Sequence, residues 1–457
     1  MKSITPQITL IEKVCREQKP AEQPYRETKH CLAVVCREGM LLYHTMTGEI
    51  LLLTQREYTE RMTDPVLREE LIRHWFLVST DHDEKKHADQ IRKLALLLDQ
   101  QKTGLNCFMV FTTLDCNARC FYCYELGRPR TVMSQKTALD VAAFIAGHCG
   151  GEEITLHWFG GEPLFNASAI DTIIGELSRR NIPYKSEMTS NGYLFDNELV
   201  MHAVIDWHLR FVQITLDGTE QVYNKAKAYI YREGSPYQRV IRNIGLLLDA
   251  GVYINIRLNM NGENEEDIAQ LIEELGQRFR GRKGLSIYMA LLTQFTNCSV
   301  RAFEDDAIAL ERMGVLTDRI RELGFARAEC VETAVRRNNC MADNDRSIAI
   351  LPDGRLGKCE HESEEKLIGS IYEDKLDEKE IAFWKDFLRC DDCEDCTAYP
   401  VCTFLKRCEW NAGGCSVIQR GKQMIFLKER VLKTYEEWKN KKWPRQMDKE
   451  GQTYEND

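Results

Sequence analysis

Thr112-Thr113-Leu114-Asp115-Cys116-Asn117-Ala118-Arg119-Cys120-Phe121-Tyr122-Cys123 closes an apolar, β-rich run that begins at Leu105. Its cysteines form a Cys-x3-Cys-x2-Cys array. Three thiolates on one short loop can hold three corners of a cubane iron-sulfur cluster and leave its fourth iron open to another ligand. A structural zinc site is the competing reading, but zinc sites usually pair Cys-x2-Cys knuckles. With 18 cysteines in 457 residues the spacing arises by chance too readily to decide alone. Position along the chain decides.

Outward from this loop, residues 105–113, 153–159, 184–190, 211–216, 252–258 and 285–290 read as strands. Amphipathic helical stretches follow near 135–148, 168–180, 196–207, 236–250, 263–280 and 304–322, with Ser134 and Asp196 as cap candidates. Each strand is followed by a helix long enough for a crossover, so the pattern predicts parallel strands in an open or partly closed barrel. The cysteines then sit beyond the carboxyl end of strand one, Gly160-Gly161-Glu162-Pro163 beyond strand two, Thr189-Ser190-Asn191-Gly192 at strand three, Thr215-Leu216-Asp217-Gly218 at strand four, and Arg257 and Asn259 at strand five. Parallel α/β folds place their active sites on that face. Taken singly, each motif is no more than a turn.

In this order the motifs resemble the radical S-adenosylmethionine (SAM) superfamily across residues 105–290. The resemblance implies that Cys116, Cys120 and Cys123 bind a 4Fe-4S cluster whose fourth iron is chelated by the amino and carboxylate groups of SAM. It implies that Tyr122 lies against the adenine, and that Gly160, Gly161, Glu162 and Pro163 meet the methionine ammonium group through backbone acceptors or the Glu162 carboxylate. Ser190 and Asn191 become candidates for the ribose or the methionine carboxylate, with Thr215 and Arg257 as further contacts. Sulfatase maturases carry a segment resembling His-Asn-x2-Arg after Asp-Gly, where this chain reads Tyr223-Asn224-Lys225-Ala226-Lys227. Lys227 then stands where a carboxylate-binding arginine is expected, keeping charge and losing the bidentate fork, or is a solvated surface lysine.

Downstream, Cys340, Gly354, Cys359, Cys393-x2-Cys396, Cys402, Cys408 and Cys415 resemble a SPASM domain, an extension that typically carries two auxiliary iron-sulfur clusters. Five residues separate Cys402 from Cys408, where three are usual. The resemblance assigns Cys393, Cys396, Cys402 and Cys415 to one cluster, and Cys340, Cys359 and Cys408 to the other, with Cys330 as a possible fourth ligand. Cys390 is left over, and a pair of structural zinc sites is the plainer alternative. Cys15, Cys31, Cys36, Cys107, Cys149 and Cys298 read as small buried hydrophobes, and His361 as a surface residue.

The fold class is therefore α/β, a partial parallel (β/α)6 barrel over residues 100–325. It has a small N-terminal α+β module over 1–86, a cysteine-rich SPASM domain over 326–420, and a C-terminal helix and tail over 421–457. In the N-terminal region residues 30–54 read as a hairpin with apolar runs 31–36, 41–43 and 50–53, 55–75 as a helical pattern and 81–86 as a charged exit linker, the alternative being a decorative extension of the barrel; residues 417–443 read as a packing helix and 448–457 as disordered. The formal net charge of −10 disfavours a polyphosphate partner, so neither nucleic acid binding nor RNA modification is expected. No apolar run approaches a membrane span, and Glu12 and Lys13 interrupt any secretory core. A cytoplasmic location is expected, where reduced cysteines serve metals or redox chemistry.

Radical SAM proteins with SPASM extensions typically act on peptides or proteins. The resemblance implies one-electron cleavage of SAM to a 5′-deoxyadenosyl radical, with a flavodoxin or ferredoxin as reductant. The leading expectation is a maturase that installs a thioether or another side-chain crosslink in a ribosomally made precursor, bound through a leader by a winged-helix-like element in residues 1–86. The alternatives are a formylglycine-forming anaerobic sulfatase maturase and, from a different class, an iron-sulfur electron-transfer protein.

Overall fold

The computed structural model describes residues 1–3, 24–99, 104–292, 303, 305–326, 340–361, 366–385, 393, 395–399, 401–402 and 415–440. The N-terminal part contributes β1 (Lys2–Ser3), β2 (Tyr25–Glu27), β3 (Cys31–Cys36), β4 (Gly39–His44), β5 (Ile50–Leu53), α1 (Gln55–Glu60), α2 (Pro65–Arg73), β6 (Leu77–Ser79) and α3 (Glu84–Asp99). The barrel follows as β7 (Cys107–Thr113), α4 (Gln135–His148), β8 (Ile154–Gly160), α5 (Ala167–Arg179), β9 (Tyr184–Ser190), α6 (Asn197–Ile205) and β10 (Leu209–Leu216). It continues through α7 (Glu220–Lys227), α8 (Pro236–Asp249), β11 (Tyr253–Met260), α9 (Glu265–Phe279), β12 (Leu285–Leu291) and α10 (Asp306–Glu322). Beyond it come β13 (Ser347–Ile350), β14 (Arg355–Gly357), β15 (Gly369–Ser370), α11 (Glu378–Lys385) and α12 (Val417–Asn440).

Strands β7 to β12 lie in consecutive order and pair in parallel, as the strand-helix alternation requires. Their inner faces and the apolar stripes of α4 to α10 share one core, in which Trp158, Trp207, Tyr223 and Tyr237 are fully buried. Two features of this sheet were not legible in the sequence. Strand β13 adds in parallel to the outer edge of β7, and β14 and β15 extend it antiparallel, so the C-terminal region continues the barrel sheet. Helix α7 is only eight residues long and mostly polar, too short for its periodicity to stand out.

The three apolar runs of the N-terminal region are three antiparallel strands, β3 to β5, with β1 added beside β5. The helical pattern over 55–75 divides into α1 and α2, because Pro65 starts a new helix and the Asp64 carboxylate accepts the Leu67 N–H at 2.8 Å. The charged stretch 81–86 is not a linker. Helix α3 begins at Glu84, whose buried carboxylate accepts hydrogen bonds from Arg26, Thr28 and the backbone of Lys29.

Nor is the N-terminal region self-contained. Val34, Leu41, Tyr43 and Ile50 share a core with Cys396, Ala398 and Tyr399 and with Leu427, Val431, Leu432 and Tyr435 of α12. Thr45 donates its hydroxyl to the Thr397 carbonyl at 2.8 Å, and Tyr399 to Asp89 at 2.7 Å. Helix α12 also reaches the barrel, where Lys428 pairs with Asp318 of α10 at 2.9 Å. Among the described residues no helix is long and apolar enough to cross a membrane.

Truncating Leu427, 3% exposed in the core shared by both ends of the chain, tests that arrangement. Leu427→Ala is expected to cost about 2–5 kcal/mol. The loss is read as a lower urea midpoint together with faster amide exchange in β3 to β5; unchanged exchange in those strands would contradict the shared core.

Candidate functional site

The register of the parallel strands brings their carboxyl ends together. Thr113 at the end of β7 pairs with Gly160 of β8, Ser190 of β9 with Ile214 of β10, and Thr215 of β10 with Arg257 of β11. Beyond β8 the turn is stitched to the cysteine loop: Gly161 donates to the Thr113 carbonyl and Glu162 to the Asp115 carbonyl, each at 3.0 Å. A Cβ on Gly160, at φ +121°, would stand 2.1 Å from the Thr113 oxygen, and one on Gly161 would stand 2.3 Å from the Asp115 oxygen. Only glycine permits this approach.

The cysteine loop is tied down on its other side as well. Arg119 N–H donates to the Lys227 carbonyl at 2.8 Å, Ile230 N–H to the Asn117 carbonyl at 2.9 Å, and the Asn191 amide to Asn117 Oδ1 at 2.6 Å. Cys116, Cys120 and Cys123 are free thiols. Burial pushes Cys116 up to about 12 and Cys123 up to about 11, and it raises Cys120 against the opposing charge of Lys227. Such thiols stay protonated unless a cation displaces their protons, which is how iron or another metal would ionise them.

All three cysteines line one cavity of about 300 Å³. Its walls include Tyr122, Gly160, Gly161, Ser190, Asn191, Thr215, Lys227 and Arg257, so eight of the ten contacts named from the sequence meet there. Glu162 and Pro163 do not. The Glu162 carboxylate, fully buried, turns away to accept from the Ser190 hydroxyl at 2.9 Å, Asn191 N–H at 2.8 Å and Leu164 N–H at 3.2 Å. It locks the end of β9 to the β8 turn, and burial pushes its carboxyl up to about 7. The Pro163 carbonyl accepts the Thr112 hydroxyl at 3.0 Å. Both residues support the cavity wall from behind, because their polar groups are consumed by the backbone they brace.

Lys227 is no surface residue. Its side chain is 4% exposed, its ammonium lies 3.1 Å from Asp217 and donates to the Tyr122 hydroxyl at 2.7 Å, and Tyr122 donates to Asp217 at 2.9 Å. Burial opposes the lysine charge, but Asp217 and its other anionic neighbours outweigh it and hold the group well above its ordinary range. Asn259 donates to the other Asp217 oxygen at 3.0 Å and accepts Arg257 Nε at 2.9 Å.

A scan against family models matches residues 110–275 to the Radical SAM superfamily. Over those residues the barrel is similar to a radical SAM domain. That superfamily's enzymes use SAM and a 4Fe-4S cluster, and the cavity fits both. Its three donors are free thiols on one loop, and its glycine turn packs bare backbone directly against that loop. Among the described residues no three His, Cys, Asp or Glu side chains are placed to hold a single metal ion.

No curated protein matches the chain. It is similar in fold to the solved structure of native anSMEcpe with bound AdoMet and Cp18Cys peptide, at 13% identity and a TM-score of 0.55, over 74% of this chain and 99% of that one. It also matches Streptococcus suis SuiB bound to precursor peptide SuiA, at 14% identity and a TM-score of 0.49, over 83% and 95%. At 13% identity the likeness to anSMEcpe speaks for the fold alone.

Three groups at the cavity were missed by the sequence reading. Glu125, 8% exposed, has no hydrogen-bond partner on either carboxylate oxygen among the described residues, and burial pushes it up to about 7. His361 is not a surface residue: it lines the cavity with its ring edge-on to Tyr124 at 4.3 Å. Gln213 precedes Thr215 by two residues on β10, and strand alternation alone could have placed it on the same face.

In the C-terminal region, backbone N–H groups of Ala342 and His361 point at Cys340 and Cys359 sulfurs at 3.2 and 3.4 Å, and Cys393 and Cys402 pack against the N-terminal strands. Cys330, Cys390 and Cys408 lie outside the described residues, as do Cys15 and Cys298.

Gly161→Ala drives a methyl group into the Asp115 carbonyl and displaces the cysteine loop. Strain of this kind costs on the order of 1–3 kcal/mol, so SAM affinity of the reconstituted protein is expected to fall about tenfold in equilibrium dialysis. Gly147→Ala, with nothing within 4 Å of its added carbon, is the control and should bind SAM normally.

Proposed function

We propose that this chain is a radical SAM peptide maturase that installs a thioether or another side-chain crosslink in a ribosomally made precursor peptide. The observation that carries the reading is the convergence of Cys116, Cys120, Cys123 and the strand-end groups on one enclosed cavity. When bound, the cluster and SAM supply an electron and a 5′-deoxyadenosyl radical able to take hydrogen from an unactivated C–H bond. The chain's own residues do the rest. Gly160 and Gly161 admit the methionine end against bare backbone, while Ser190, Asn191, Thr215 and Arg257 offer hydrogen bonds to the ribose and carboxylate. Tyr122 presents its ring toward the adenine with its hydroxyl already engaged. The barrel walls keep water from quenching a reactive carbon.

Several features support a peptide substrate. Among the described residues β3 pairs only with β4, so its outer edge offers unpaired backbone groups to an added strand, the mode by which a leader would dock. A groove of about 940 Å³ runs beside that edge, walled by Leu32, Val34, Met424 and Tyr435. Cys393, Cys396, Cys402 and Cys415 form one auxiliary cluster in this reading, and Cys340, Cys359, Cys408 and Cys330 the other, relaying electrons to or from the product and to a flavodoxin or ferredoxin. The free cysteines among the described residues suit a cytoplasmic protein in this reading. The fold shared with anSMEcpe keeps formylglycine formation as the second reading.

Incubating the reconstituted protein with SAM and dithionite is expected to release 5′-deoxyadenosine, and the Cys116→Ala, Cys120→Ala, Cys123→Ala triple variant should release none. A short cysteine-rich or repeat-containing peptide, if one is encoded beside this reading frame, should lose two hydrogens per crosslink. Conversion of a cysteine to formylglycine would instead favour the sulfatase-maturase reading, and cluster redox cycling without deoxyadenosine would leave only electron transfer.

A further inference from the structure

Lys227 holds the cysteine loop from both of its ends. Its carbonyl accepts Arg119 N–H at 2.8 Å, between Cys116 and Cys120, while its ammonium donates to the hydroxyl of Tyr122. The ammonium thus lies end-on to Tyr122, beyond its hydroxyl, and 5.7 Å from the ring centre of Tyr223, so the pocket around it is a snug one for a compact cation. Directly after it, Ala228 adopts a left-handed conformation, φ 45° and ψ 58°, without being glycine. Strain of this type persists where the surroundings over-determine the backbone, commonly at ligand clamps. Here the determinants are the two loop hydrogen bonds, Arg119 to Lys227 and Ile230 to Asn117, one on each side of Ala228.

The arrangement differs from that of a ligand-binding cation. Asp217 neutralises the ammonium, Asn259 steadies Asp217, and Arg257 steadies Asn259, so a single chain of hydrogen bonds runs from the loop across the ends of β10 and β11. Arg257 lines the cavity and uses Nε on Asn259. Its terminal nitrogens make it the better candidate for an incoming carboxylate.

We propose that Lys227 is a positioning residue: its buried ammonium, shared between Asp217 and the Tyr122 hydroxyl, orients the ring that meets SAM and keeps positive charge beside Cys120. The assignment rests on the radical SAM reading of the cavity. A fixed cation near one ligand sulfur favours the more negative, reduced form of the cluster. The ring position and the cluster potential therefore depend on one side chain in the cavity wall whose ammonium is already engaged by Asp217 and Tyr122.

The test uses the full-length, iron-reconstituted protein, with the SAM-responsive EPR signal as readout. In Lys227→Met the potential should fall by an amount equal to a tenfold loss in reduction, about 59 mV for one electron, and SAM affinity should fall about tenfold. Lys227→Arg keeps the charge and should hold the potential near wild type. Tyr122→Phe, which loses only the tether, should weaken SAM binding and leave the potential unmoved. Should Lys227→Met fail to take up iron, the double variant Lys227→Met, Asp217→Asn removes both buried charges; it is expected to take up iron and still bind SAM weakly. Wild-type SAM affinity in that variant, or an unshifted potential and affinity in Lys227→Met, overturns the proposal. A wild-type spectrum indifferent to SAM overturns the radical SAM reading itself, and the proposal falls with it.

Discussion

The parallel pairing of β7 with β8, shifted by a bulge between Phe111 and Thr113, is the constraint on which the site depends. Because that shift sets Thr113 opposite Gly160, the loop leaving β7 and the turn leaving β8 meet at backbone distance, and two hydrogen bonds join them. A slip of one residue in β10 or in β11 would turn over that strand's side chains and carry Gln213 and Thr215, or Arg257 and Asn259, away from the cavity. Glu162 extends the same logic by one strand, since its carboxylate bonds the β8 turn to the end of β9. The cavity is thus a product of sheet register first and of side-chain identity second.

Around that frame, polar groups taken out of water are mostly paired, and the pairing decides which residues remain open to a ligand. Glu162 and Lys227 both carry charge into the interior, and both are consumed by neighbours: one by backbone and a serine, the other by Asp217 and a tyrosine. Burial of either without partners would be strongly unfavourable. Glu125 is the exception on the cavity wall, a buried carboxylate with neither oxygen engaged among the described residues. The two ends of the chain are linked by the same economy of burial. The apolar face of β3 to β5 is covered by α12 and by the turn around Cys396, which brings the N-terminal sheet against residues of the cysteine-rich segment.

Much of this was readable from residue order. Alternation of short apolar runs with amphipathic stretches located the six barrel strands to within a few residues, because burial on both faces leaves a strong local mark. Ser134 and Asp196 cap their helices through side-chain oxygens, as their positions suggested. The failures have equally local causes. Strand β13 has four residues and helix α7 eight, too few for a period to register. The break between α1 and α2 was marked by Asp64-Pro65, a signal outweighed by the apolar pattern on either side.

What the sequence determined by itself was the chemistry-bearing inventory and its order: a cysteine triple after the first strand, glycines after the second, polar residues ending the next three. Those follow from spacing and from the period of the chain, which are local properties. Only the tertiary structure decided which members face the cavity. Glu162 and Lys227 carry charges that a linear reading assigns to a ligand, yet a buried charge bonds whatever donor or acceptor the fold places nearest. Those partners, at positions 190, 191, 122 and 217, come from other strands and loops, where sequence separation says nothing about distance.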